Sequence, residues 1–253
     1  LPTAYNSNEG FYLNDDGLQV YGICPDMQRA FSAWLKERYD LELENPVPGR
    51  GERHNGDRVW VFESDPRRSK APVTAFYQFL NEQTAQVIID ITRTLREAHG
   101  DNRIIVGTFY GYLMGLSNFY WLPDSGHLDL ARLLEADGPD FTCSPLEYFT
   151  RNPRESKGGG FCWSQSPAVD AARIAGKAYI GEDDFVPRME MENDVVGWSS
   201  AADPAEDAEM QKRNFCFSLC KGALQWWYDL HGHWYEGAER LEMPRSSSPT
   251  PLP

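Results

Sequence analysis

Apolar residues return along this chain at two different spacings. From Met27 to Tyr39 the residues Met27, Ala30, Phe31, Trp34, Leu35 and Tyr39 recur every three or four positions, as on one helix face, and Pro25 suits the first turn. Val73 to His99 repeats the pattern through Val73, Phe76, Tyr77, Leu80, Thr84, Val87, Ile88, Ile91 and Leu95, which predicts a long amphipathic helix closed by Gly100. Shorter helices are predicted over Leu128 to Ala136 with Ser125 as cap, over Ala168 to Ala175 stopped by Gly176, and over Pro204 to Lys221 ended by Gly222.

Between the helices lie β-branched and aromatic runs of strand length. They are LPTAY at the start, RIIVGTFYGY (Arg103 to Tyr112), DFTCSPLEYF (Asp140 to Phe149), KAYIGEDD (Lys177 to Asp184) and ALQWWYDL (Ala223 to Leu230). The segment 41–71 is rich in Pro, Gly and charge and reads as a long surface excursion with one short strand at Val59 to Phe62. RNPRESKGGGF reads as an exposed loop, and 243–253 has no periodicity and reads as a disordered tail. Five strands separated by helices, with no hairpin turns, predict a parallel α/β fold. No glycine-rich phosphate loop joins a strand to a helix, and the loops after the strands are long, aromatic and acidic. Both features favour a (β/α)8 TIM-barrel type over an open nucleotide-binding sheet, with 1–242 as a partial barrel catalytic domain interrupted by the excursion at 41–71.

Charge and length narrow the partners. The 253 residues hold 38 Asp and Glu against 24 Lys and Arg, a net charge of −14. Nucleic acid and anionic membranes would repel such a surface; a neutral sugar would not. The longest apolar runs fall far short of a bilayer's thickness, so a soluble protein is expected. The chain starts at Leu1 without a methionine, which reads as a truncation, so the missing signal peptide carries no weight for the compartment. The five cysteines form no CxxC pair; Cys216 and Cys220, one helical turn apart, are expected to pack as small apolar residues. His127, His231 and His233 read as polar loop residues, so no metal and no cofactor is expected.

Candidate chemistry centres on the end of KAYIGEDD. An apolar run, Ala178 to Ile180, stops on Gly181 and the carboxylates Glu182, Asp183 and Asp184. Taken by itself the pattern reads first as a solvated acidic turn; the other reading is a site, because sites in parallel α/β folds are built at C-terminal strand ends. A second strand end, in TAYNSNEG, presents Glu9. Alternation sends Asp183 to the side opposite Glu182, while Asp184 lies further into the loop. The same alternation on ALQWWYDL puts Gln225, Trp227 and Asp229 on one face and Leu224, Trp226, Tyr228 and Leu230 on the other. The second set is more apolar and is expected against the helices, leaving Trp227 and Asp229 for the site.

The order NSNEG, CPDMQRAFSAWLKERY, RIIVGTFYGY, SGHLDLARLL, DFTCSPLEY, GEDD and KGALQWWYDL resembles the retaining glycoside hydrolases of clan A, nearest to the family 42 β-galactosidases and their relatives. The resemblance implies that the five strands are the fourth to the eighth of the barrel. The first three, with the arginine usual on the second, have no counterpart here. It implies Glu9 as acid/base at the fourth strand end, beside Asn8, and Glu182 as nucleophile at the seventh. Asn-Glu by itself is a weak signal, since Asn81-Glu82 repeats it inside the long helix, where a solvated pair is expected. Retaining hydrolysis needs two carboxyl groups about 5 to 5.5 Å apart, and a hydrogen bond to the sugar 2-hydroxyl, the role expected of Asn8, strengthens in the transition state. Tyr148, at the sixth strand end, fits a hydrogen bond to the nucleophile and fits a core tyrosine as well. Trp227 fits a sugar platform or a barrel-core tryptophan. The reading is a retaining β-glycosidase acting on a glycoside or oligosaccharide without a cofactor, and relatives often assemble as homo-oligomers. Two alternatives stand beside it: an inactive carbohydrate-binding or truncated barrel protein, and a metal-dependent hydrolase using Glu182, Asp183 and Asp184 with histidines.

Overall fold

The computed structural model describes residues 24–49, 52–53, 73–100, 104–111, 125–145, 166–183 and 204–227. The strand LPTAY, the strand at 59–62, the loop RNPRESKGGGF and the tail 243–253 lie outside these residues. The chain divides into two compact units, one of Leu1–Ile104 with Leu116–Pro139 and one of Ile105–Gly115 with Asp140–Pro253.

The first unit holds three helices, α1 (Pro25–Tyr39), α2 (Val73–His99) and α3 (Leu130–Glu135). Proline opens α1, and Asp40 closes it at φ 50° with its amide bonded back to the last turn. Phe31 and Leu35 of α1 are fully buried against Phe76, Phe79 and Leu80 of α2, and the Phe31 and Phe76 rings meet edge to face at 5.0 Å. Such an aromatic contact adds roughly 1 kcal/mol to the burial itself.

Three expectations for this unit are corrected. Val87 and Leu95 are 44% and 52% exposed, because beside the anticipated Leu80, Thr84 and Ile88 the covered stripe of α2 takes in Asn81, Ala85, Ile89 and Thr92 on its other flank. Asn81-Glu82 is not a solvated pair. Asn81 is buried, donates to the Tyr77 carbonyl (2.8 Å) and accepts the Leu128 amide (2.8 Å). Glu82 accepts from the Trp34 indole (2.9 Å) and from Arg38 (2.5 Å). Nor is the whole excursion a surface segment. Val47 joins the core of α1 and α2, its amide donating to Gln28 Oε1 (3.0 Å), and Arg53 is buried with its guanidinium 5.0 Å from the Phe76 ring centre.

The cap of α3 also differs. Ser125 Oγ accepts the His127 amide (3.3 Å) instead of capping the helix, and Asp129 at the N-cap spends its carboxylate on Arg132 (2.6 Å). The segment following α3 then lies close on α2: Arg96 donates to the Gly138 carbonyl (3.0 Å), and a Cβ on Gly138 would sit 2.2 Å from Thr92 Oγ1.

The second unit is α/β. Its strands β1 (Gly107–Phe109), β2 (Phe141–Pro145), β3 (Ala178–Asp183) and β4 (Leu224–Trp227) form a parallel sheet in sequence order, β1-β2-β3-β4. Helices α4 (Ser166–Ile174) and α5 (Pro204–Lys221) connect the later strands and pack on β3, on β4 and on each other, with Lys221 Nζ 2.8 Å from Asp170 Oδ2. Left-handed glycines stop both, Gly176 at φ 72° and Gly222 at φ 70°. β1 pairs over a shorter span than anticipated. The amide of Val106, just before it, is taken by the Asp140 side chain (2.9 Å) instead of a strand neighbour. Gly107 is also required where it stands, since a Cβ there would fall 2.4 Å from the Phe141 ring.

Candidate active site

β3 explains why two adjacent carboxylates lead separate lives. Successive side chains of a strand face opposite ways, and the register sets Pro145, Glu182 and Trp226 in one row and Ser144, Gly181 and Gln225 in the next. Asp183 points to the side covered by α5. It is fully buried and receives Asn214 Nδ2 on both oxygens (3.2 Å each) and Gln225 Nε2 on Oδ2 (2.8 Å). Ser144 and Tyr179, hydrogen-bonded to each other through their hydroxyls, occupy the same side. A carboxylate so tied up is a structural anchor.

Glu182 lies on the opposite side, at the C-terminal end of β3, with only 6% of its surface exposed. Its neighbours there are Cys143 and Trp226. The Trp226 indole donates to Cys143 Sγ (3.4 Å), and its ring meets Phe109 edge-on at 6.2 Å. Burial pushes the Cys143 thiol up to about 12, against a weaker downward pull from the Trp226 hydrogen bond, and the nearby Glu182 charge raises it further. The thiol is therefore protonated at neutral pH and serves as a neutral acceptor. Phe109 is 48% exposed. This side of the sheet thus sets one carboxylate among aromatic surfaces, an arrangement suited to an oxygen nucleophile beside a flat apolar ligand face.

Trp227 is corrected. Its ring stacks on Phe215 of α5 at 6.2 Å and 17°, on the helix-covered side with Asp183, so it does not share the side of Glu182. Trp226, assigned from its apolar companions to the helix side, stands in register with Glu182 instead. Trp226 and Cys143 were both missed, and pairing β3 with β4 in register is the signal that finds Trp226. His127 lies in the loop before α3, as read, with its side chain buried. Cys216 and Cys220 are exposed and do not pack as core residues. The expected positions Asn8, Glu9, Tyr148 and Asp229 lie outside the described residues, as do Asp184, His231 and His233.

Among the described residues no group of three His, Cys, Asp or Glu side chains is arranged to hold a metal ion. Glu182 and Asp183, on opposite sides of the sheet, do not converge on one cation, which removes the pair from the metal-dependent alternative. No helix among the described residues is long and apolar enough to cross a membrane. No family model, curated protein or solved structure matches the chain.

Proposed function

We propose that this protein is a retaining β-glycosidase of β-galactosidase type on a (β/α)8 barrel plan, related to the clan A hydrolases that its motifs resemble. The observation that carries the reading is Glu182. It is a buried carboxylate at the C-terminal end of a parallel strand, on the side away from the covering helix and in register with a tryptophan. In this reading Glu182 attacks the anomeric carbon and Glu9, protonated, assists the leaving oxygen. Water then hydrolyses the glycosyl-enzyme with Glu9 as base. Asn8 holds the sugar 2-hydroxyl, and Tyr148 and Asp229 line the site. Trp226 takes the stacking role first assigned to Trp227. No cofactor enters. Asp183 acts only through the backbone, holding the strand end on which Glu182 is carried.

Hydrolysis of nitrophenyl β-galactoside by the full-length protein tests the reading. Turnover is expected, and Glu182→Gln is expected to lower kcat by on the order of 10³-fold or more with the fold kept. A second reading, a carbohydrate-binding protein without chemistry, draws on the half-exposed Phe109 beside Trp226. Sugar binding that quenches tryptophan fluorescence, with no turnover of any aryl glycoside, would select it and reject the first.

A further inference from the structure

Helix α5 holds two cysteines on its outer side. Its buried positions are Gln211, Asn214 and Ser218, with Asn214 fastened to Asp183 on the sheet. Cys216 and Cys220 fall on the opposite side of the helix, both free and both exposed, flanking Leu219, which is 63% exposed. Residues four apart on a helix have Cβ atoms about 5–6 Å apart. A disulfide requires about 3.5–4.5 Å between them. The intact helix therefore keeps the two thiols from oxidising each other, yet leaves both sulfurs able to converge on a third atom, since two metal–sulfur bonds of about 2.3 Å bridge such a gap.

We propose that Cys216 and Cys220 form a two-thiolate site for a soft d10 monocation, Cu(I) being the ion of that class. Thiolates select soft ions. Zinc at a structural site takes four protein ligands, and among the described residues no third His, Cys, Asp or Glu joins this pair. Cu(I) is satisfied by two sulfurs in line. Binding displaces the proton of each thiol, two protons per ion, and changes no oxidation state. The site is on the far side of α5 from the sheet and does not depend on the glycosidase reading.

The test is anaerobic competition for Cu(I) between the full chain and bicinchoninate, followed by the colour of the copper–bicinchoninate complex. The protein is expected to withdraw one equivalent that Cys216→Ser and Cys220→Ser each lose, with affinity lower by on the order of 100-fold, the usual gain from a second linked ligand. Cys24→Ser, which removes an exposed thiol elsewhere, is expected to keep it. Equal withdrawal by the unaltered protein and both variants would overturn the proposal, and so would a loss confined to one of them. Because both side chains are exposed, far-UV circular dichroism of the variants is expected to be unchanged. Should a serine variant lose helix, Cys216→Ala and Cys220→Ala replace it under the same criterion.

Discussion

Glu182 and Asp183 sit one peptide apart, and their surroundings assign them different work. Asp183 is held by three amide hydrogen bonds from α5 and β4 in a fully buried position. Removing it strands the Asn214 and Gln225 donors without an acceptor. Asp183→Ala is expected to cost about 3–5 kcal/mol by urea denaturation, the usual penalty for breaking a buried charged network. Glu182→Gln keeps the side chain's shape and is expected to cost about 1 kcal/mol or less. Cys143 adds a pH-dependent contribution. Its thiol titrates near 9.0 in the unfolded chain and at about 12 in the folded one. Between those values the native state keeps a proton that the unfolded state has lost, so the contribution is complete below pH 9 and declines as pH rises through the window. The stability of the unaltered protein relative to Cys143→Ala is therefore expected to fall above pH 9, by at most about 1.4 kcal/mol per pH unit. Urea curves at pH ~8 and ~10 check the sign.

At the scale of elements, what periodicity could reveal depended on how a segment is buried. α1, α2 and α5 were legible because helical spacing, a first-turn proline or a terminal glycine marks each of them. The faces of β4 were not. A strand in a parallel sheet is apolar on both sides, so hydrophobicity did not tell whether Trp226 or Trp227 meets the helix; the stack on Phe215 decides it. α5 misled for the reverse reason, since its covered positions, Gln211, Asn214 and Ser218, are polar while Cys216 and Cys220 are exposed. Two glycines separate backbone strain from crowding. Gly100 has φ 63° with open space where a Cβ would go, so Gly100→Ala is expected to cost about 1 kcal/mol, all of it conformational. Gly138→Ala would drive its Cβ to 2.2 Å from Thr92 Oγ1 and 2.9 Å from the Ile89 carbonyl, and is expected to cost about 2–3 kcal/mol. Thermal melts of the two variants side by side check the order.

At the scale of the molecule, the alternation of strands and helices carried the α/β class and the parallel direction of the sheet, and both stand in the structure. The position of Glu182 at a C-terminal strand end was legible for the same reason, because an apolar run breaking on carboxylates marks where a buried strand ends. What local pattern did not carry is the pairing across strands, and Trp226 and Cys143 enter the site only through that pairing. In the proposed mechanism Glu182 forms a covalent bond to the sugar during turnover. Incubation of the full-length protein with 2-deoxy-2-fluoro-β-galactosyl fluoride, followed by peptic digestion and mass spectrometry, tests it most directly. The expected result is one fluorogalactosyl group on the peptide that contains Glu182, absent from Glu182→Gln. A protein that turns over aryl galactosides but acquires the label on another residue, or acquires none, would contradict it.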